Sequence, residues 1–251
     1  MTSPESVVDV SQDWMLACHV QRRFMRNCRL ATPLVDHSAQ CRQVRALGGD
    51  CYDFMPVADD RLALLVGDAS GKGLAAALMI ANVHSSLRAA AFFTGNDLAT
   101  LLQVVNHLAY TSSLADRYAT VFYGVFDGPA RTFHYVNAGH PAPLVLRRNG
   151  SSDWLETGGA PLAMFPDSYY QVGMTKLDPG DLLIAFTDGV VEATNHSGEE
   201  WGVQGLLHAA SCAARGAADA EDLVTRTLSS LDEFSNGQQS DDATLAVLRV
   251  S

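Results

Sequence analysis

The chain is poor in basic residues, poor in cysteine and without a long apolar run. Its 17 Lys and Arg stand against 28 Asp and Glu, a formal net charge of −11. Nucleic-acid binders and proteins that dock on anionic lipid present a basic face, so both classes lose ground. A phosphorylated substrate stays open, because divalent cations can supply positive charge locally. The five cysteines, at 18, 28, 41, 51 and 212, are odd in number and form no Cys-x-x-Cys pair. That argues against a disulfide framework or a thiolate zinc site and fits a reducing cytosol. Apolar stretches such as Leu74 to Ala81 are too short to span a bilayer. Residues 1–9 show no basic start leading into an apolar segment, so no signal peptide is expected. A cytoplasmic protein that neither inserts in a membrane nor binds nucleic acid is the expectation.

With 251 residues and 47% hydrophobic content, the chain has ample material for a core. Residues 12–27 read as a helix with Trp14, Cys18 and Met25 near one stripe. A strand is expected within 35–45, then a hairpin of 52–57 and 61–67 turning at Asp59-Asp60. Gly71 and Gly73 break the chain before an alanine-rich helix over 74–93. Asn96 is expected to cap a second helix, in which Leu98, Leu101, Leu102, Val105 and Leu108 recur at helical spacing. Strands follow at 119–126, 132–137, 143–147, 169–177 and 181–187, then helices at 202–214 and 219–233 and a last strand at 243–250. Helices come in pairs between runs of hairpin-connected strands, the pattern of antiparallel sheets covered by helices, an α+β class.

Four acidic stations punctuate this pattern. Asp68 and Asp188 end the apolar runs 62–66 and 182–186, whereas Asp50 and Asp241-Asp242 precede strands. In an antiparallel sheet the end of one strand lies beside the start of its neighbour, so the four can meet on one edge of a β core. Crowded carboxylates repel and are costly to desolvate unless a cation joins them. With oxygen ligands and no Cys or His at the stations other than Cys51, the fitting cation is hard, Mg²⁺ or Mn²⁺.

Other motif readings fail. Gly67 and Lys72 are too close for a phosphate-binding Gly-x-x-x-x-Gly-Lys loop, and Gly73 stands where its Ser or Thr belongs. Ser70 has Asp68, not Gly, two residues before it, so it is no nucleophile elbow. Gly48-Gly49-Asp50-Cys51-Tyr52 invites comparison with the Gly-Gly-Asp-Glu-Phe loop of nucleotide cyclases, but Cys51 replaces the second acid. His140 reads as a turn histidine bonded to backbone, Lys72 as a loop lysine or a phosphate-steering one, and Asp53 as a strand-edge charge or a support for the acidic site.

Several stretches taken together resemble the SpoIIE/RsbU-type bacterial serine phosphatases of the PPM (metal-dependent protein phosphatase) family. They are Gly48-Gly49-Asp50-Cys51-Tyr52-Asp53-Phe54, Val66 to Leu78 with Gly67-Asp68-Ala69-Ser70-Gly71-Lys72-Gly73, Tyr118 to Gly124, and Asn137-Ala138-Gly139-His140-Pro141. Thr157 to Leu162, Pro179 to Leu183, Phe186-Thr187-Asp188-Gly189, and Asp241-Asp242-Ala243-Thr244 complete the set. The resemblance covers about residues 40–251. It implies an αββα sandwich of two antiparallel sheets flanked by helix pairs, with 30–251 as the phosphatase domain. It further implies a site for two Mn²⁺ or Mg²⁺ ions, with a third as an option. Asp50 and Asp68 would hold one ion, and Asp68, Asp188 and Asp241 the other, with the Ala69 carbonyl as a backbone ligand; Asp242 stays a candidate beside Asp241. The implied reaction is hydrolysis of phosphoserine or phosphothreonine by a metal-activated water. Ser70 stands where eukaryotic relatives carry a His credited with protonating the leaving group, so no general acid is assigned. The implied substrate is a phosphorylated STAS-domain anti-sigma-factor antagonist in a partner-switching circuit, with a separate activator protein. Residues 1–29 would form an N-terminal helical segment serving regulation and a homodimer. A silent pseudophosphatase used as a binding module is the alternative, with a nucleotide cyclase a weaker one.

Overall fold

The computed structural model describes residues 10–25, 34–93, 97–114 and 116–251. In chain order the elements are α1 Val10–Phe24, β1 Val35–Arg42, β2 Asp50–Ala58, β3 Arg61–Ala69, α2 Leu74–Ala91, α3 Leu98–Ser112, β4 Ala119–Asp127 and β5 Thr132–Ala138. They continue with β6 Leu144–Leu146, β7 Ser152–Trp154, β8 Gly158–Gly159, β9 Gly173–Lys176, β10 Leu182–Phe186, α4 Asp188–Val191, α5 Gly202–Ala214, α6 Ala220–Ser235 and β11 Ala243–Val250. One sheet runs β1-β11-β10-β6-β7 and the other β2-β3-β4-β5-β8, with β9 also on β5. Pairing is antiparallel throughout except for the two-residue parallel contact of β8 with β5.

Alternation decides the layers. On β2 and β3, Tyr52, Phe54, Leu62, Leu64 and Val66 point one way, into an inter-sheet core shared with Phe122, Phe133, Leu183, Ala246 and Leu248. Their neighbours Cys51, Met55, Ala63 and Leu65 point the other way and pack under α2 and α3. On the far side, Leu182, Ile184, Leu245 and Val247 pack under α5 and α6. The result is the expected αββα sandwich. Turn chemistry closes the hairpins: Asp60 takes a positive φ of 56° between β2 and β3, a conformation Asp tolerates better than most residues.

Some expectations shift. The helix expected at 12–27 is α1, which ends at Phe24, and residues 26 and 27 lie outside the described set. Asn96 also lies outside it; the N-cap of α3 is Asp97, whose Oδ1 accepts from the Thr100 N–H at 3.0 Å. The strand expected at 169–177 shrinks to β9. The short β7, β8 and α4 have no counterpart among the expected elements, since two to four residues carry no periodicity. Helix α2 is, by length and composition, apolar enough to cross a bilayer, which corrects the expectation that no stretch is long enough. Its buried Ala76, Ile80, Val83 and Leu87 explain that composition: they form the stripe that covers a sheet.

Phe122 is fully buried between the sheets, whereas Phe93 is 89% exposed. Phe122→Ala should cost about 3–5 kcal/mol in urea unfolding, and Phe93→Ala no more than about 0.5 kcal/mol. Equal losses would show that the inter-sheet layer is not the main source of stability.

Candidate metal centre and active site

The site starts from one cross-strand pair. Asp50 opens β2 and sits directly opposite Asp68 near the end of β3. Both share the strand face of Tyr52 and Val66, so both look toward the opposing sheet. There Asp50 Oδ2 accepts hydrogen bonds from the hydroxyls of Thr187 at 2.7 Å and Thr244 at 2.6 Å. The two threonines, fully buried, are themselves tied: Thr187 N–H donates to the Thr244 carbonyl, and Thr244 N–H to Thr187 Oγ1. A buried carboxylate of one sheet is therefore held by the strand ends of the other.

The remaining acids come from those strand ends. Asp188 follows Thr187 and begins α4, where the Gly189 N–H favours its charge. Gly189 must be glycine, because a Cβ there would lie 2.0 Å from the Asp242 carbonyl oxygen. Asp241 and Asp242 precede β11 but play different parts. Both oxygens of Asp242 are engaged by main chain, from Val44 N–H at 2.8 Å and Gly49 N–H at 2.9 Å. Asp241 Oδ2 instead meets the Lys72 ammonium at 2.7 Å, and Lys72 also reaches the Ser240 carbonyl. Ala69 pairs its N–H with the Gly49 carbonyl, and its own carbonyl would lie 3.0 Å from a Cβ at Gly49.

Burial and mutual repulsion leave their mark on the acids. Asp50 is pushed well above the ordinary carboxylate range, first by burial and then by Asp68, with the two threonine hydroxyls opposing. Asp68 is raised to about 7 by burial and by the charges of Asp188, Asp241 and Asp242, opposed by its hydrogen bond with Asp50. Asp188 is raised chiefly by burial, and Glu192 chiefly by Asp188. Cys51 beside Asp50 is pushed up by burial, which keeps it a neutral thiol and unsuited to metal ligation. Among the described residues no three His, Cys, Asp or Glu side chains are drawn tightly enough to chelate one ion; the acids stand as the pair Asp50–Asp68 within charge range of Asp188, Asp241 and Asp242. Carboxylate oxygens whose ionisation is resisted by their own neighbours suit a hard divalent cation.

Residues near this cluster divide clearly. Ser70 Oγ accepts from the Tyr118 N–H and the Ser70 carbonyl from Arg117, so no base stands ready to activate the hydroxyl. His140 is buried, its Nδ1 3.0 Å from Thr120 Oγ1 and its N–H on Asn137 Oδ1. Burial lowers its pKa to about 3, so it remains neutral. Asp53 departs from both expected roles. Three residues from Asp50 on a strand, it faces the opposite side, where it is fully buried against His84 Nε2 at 2.9 Å and Arg88 at 2.5 Å on α2. Thr187 and Thr244 are absent from the candidates that sequence pattern supplies, although a threonine beside Asp188 and another two residues after Asp242, at the border of apolar strands, are the signal for them.

The sequence model for Stage II sporulation protein E (SpoIIE) matches residues 58–251. The chain belongs to the SpoIIE family. Protein IcfG of Synechocystis is 27% identical over 80% of this chain and 36% of its own length. The phosphoserine phosphatase RsbU of Bacillus subtilis is 25% identical over 96% of this chain and 71% of its own. The chain thus spans about a third of the first relative and most of the second. Among solved structures, the RsbU and RsbW domains of a Mycobacterium tuberculosis protein share 27% identity and a TM-score of 0.75, covering 87% of this chain and 60% of that one. The SiaA-PP2C domain of Pseudomonas aeruginosa has a TM-score of 0.82 at 19% identity, with 96% of both chains covered. Two more distant structures with this fold carry metal: RsbX in complex with magnesium, with a TM-score of 0.67, and the PstP catalytic domain with two manganese ions, with a TM-score of 0.61. The fold is that of the PPM phosphatases, as the order of motifs implied.

The acid cluster predicts a pH signature in the metal-free protein. Asp68 keeps its proton to about 7 when folded but releases it near 3.8 when unfolded. Between those values the folded state binds more protons, so rising pH favours unfolding. In EDTA the Tm should fall from pH 5 to pH 8, and Asp68→Asn should flatten that fall. Superimposable profiles for the two proteins would show that the cluster stores no such repulsion.

Proposed function

We propose that this chain is a metal-dependent serine/threonine phosphatase of the PPM type, working in the cytoplasm in a partner-switching circuit. Its substrate on this reading is a phosphorylated STAS-domain protein that antagonises an anti-sigma factor. The observation that carries the proposal is the meeting of carboxylates from both sheets at one sandwich edge, with pKa values raised first by burial and then by one another. Membership of the SpoIIE family and the metal-bearing fold relatives support it.

Asp50, Asp68, Asp188 and Asp241, with the Ala69 carbonyl, are the groups we assign to two Mn²⁺ or Mg²⁺ ions. Asp241 is preferred to Asp242, because both oxygens of Asp242 are already committed to the Val44 and Gly49 amides. Bound there, the ions would supply charge to neutralise phosphoryl oxygens and acidity to make water nucleophilic near neutral pH. The protein's own part is orientation. Thr187 and Thr244 aim Asp50, the β2–β3 pairing sets Asp68 against it, and α4 presents Asp188. Lys72 balances Asp241 and can turn to a phosphate, because its side chain is half exposed. Neither Ser70 nor His140 is placed or charged for covalent or acid catalysis, so the reaction proceeds by direct hydrolysis. The exposed Trp14, Met15, Leu16 and Val20 on α1 support a homodimer or an activator contact through the N-terminal segment.

Phosphate release from a phosphoserine protein should require Mn²⁺ or Mg²⁺ and stop in EDTA. Asp68→Asn should lower turnover by at least about 100-fold, the upper range for disturbing a metal site's supporting groups, with circular dichroism unchanged. Near-normal turnover in that variant would sink the binuclear assignment, and a folded, metal-loaded wild type without turnover would mark a binding module instead. Ser70→Ala should retain substantial activity with no trapped phosphoenzyme; stoichiometric phosphoserine at position 70 during turnover would overturn direct hydrolysis.

A further inference from the structure

Among the described residues, helix α1 buries one side chain against the approach to the acidic site. Gln21 is 6% exposed, while the other described side chains of α1 are exposed or half-buried. Its Nε2 donates to the Gly48 carbonyl at 2.7 Å, and its Oε1 accepts from the Gly48 N–H at 3.2 Å and from Gln43 Nε2 at 3.1 Å. A primary amide is thus closed on both polar groups of one main-chain residue, much as a neighbouring strand would be.

That residue stands at the entrance to the site. Gly49 N–H is bound by Asp242, Gly49 carbonyl accepts from Ala69 N–H, and Asp50 comes next. The fit leaves no space: a Cβ at Gly48 would fall 2.3 Å from Asp242 Oδ2 and 2.9 Å from the Gln43 side chain. Further along α1, Phe24 stacks on His84 with ring centroids 5.7 Å apart, and His84 binds Asp53 on β2. The helix therefore reaches the chain on both sides of Asp50, through Gln21 on the segment leading into β2 and through α2 on Asp53 within β2.

We propose that Gln21 is a positioning residue: its amide fixes the Gly48 main chain, and through it the relative placement of Asp50 and Asp242, so that this single amide clamp raises the affinity of the acidic cluster for divalent cations. This rests on reading the cluster as a divalent-cation site. Metal affinity depends on groups that hold ligands in place as well as on the ligands, and among the described residues Asp242 and Gln21 anchor the 43–49 segment by side chains from outside it.

Gln21→Met keeps length and bulk but removes donor and acceptor together. Calorimetric titration with Mn²⁺ alone should show the dissociation constant raised about 10-fold in this variant. Amide hydrogen exchange should quicken at Gly48 and Gly49 while remaining unchanged in β4 and β5. At saturating Mn²⁺ the turnover on a phosphoserine protein should recover, because the ligands themselves are intact. Wild-type Mn²⁺ affinity in Gln21→Met, with the wild type binding normally, overturns the clamp and leaves the metal-centre reading standing. Exchange quickened across the whole sandwich also overturns it, since Gln21 would then serve only global stability. A wild type that binds no Mn²⁺ overturns both.

Discussion

Like charges gathered where two sheets meet are the constraint around which this molecule is arranged. Asp50 and Asp68 face each other across a ladder, and Asp188 and Asp241 reach them from the opposite sheet. Such an edge is unfavourable by itself, as the upward displacement of three carboxyl groups shows. It persists because the apolar interior behind it is extensive and because neutral donors, the Thr187 and Thr244 hydroxyls, satisfy the deepest acid. Stability is concentrated in the sandwich layers and given up at their rim. That division is common where a protein keeps a charged site ready for a ligand of opposite sign.

Much of this arrangement is legible in the amino-acid order. The runs 62–66 and 182–186, each closed by Gly-Asp or Thr-Asp, announce strands that deliver an acid to an edge, and the leucines from 98 to 108 announce α3. The meeting of the two sheets at those acids follows from antiparallel geometry. What sequence pattern does not carry is pairwise and distant. Gln21 and Gly48 are 27 positions apart, and nothing local marks either as the other's partner. Asp53 is ambiguous in sequence because its spacing from Asp50 places it on the other strand face only if β2 is regular, which the continuous register from Asp50 to Pro56 establishes. The stretch from 152 to 159 forms strands too short to leave a period.

Asp53 also shows how a single fold separates two kinds of buried acid. On the helix side of β2 it is hydrogen-bonded to His84 and paired with the Arg88 guanidinium, contacts that fasten α2 to the sheet. On the inter-sheet side, three residues earlier, Asp50 has only hydroxyls and another acid. The same strand therefore carries one carboxylate whose charge is settled within the protein and one whose charge is left for something else to settle.

Strand order adds a consequence for biosynthesis. β11 is the last element of the sandwich in the chain, yet it lies inside its sheet, paired with β1 on one side and β10 on the other. It brings Thr244 to Asp50 and carries Asp241 and Asp242 to the rim. A nascent chain that has finished the β2–β5 sheet and its two helices still lacks the strand that unites the other sheet. The acids of the two halves are consequently kept apart until translation of the domain is nearly done. Asp50 and Asp68 already face each other on the β2–β3 hairpin, but no fragment ending short of β11 can present the assembled cluster to a cation.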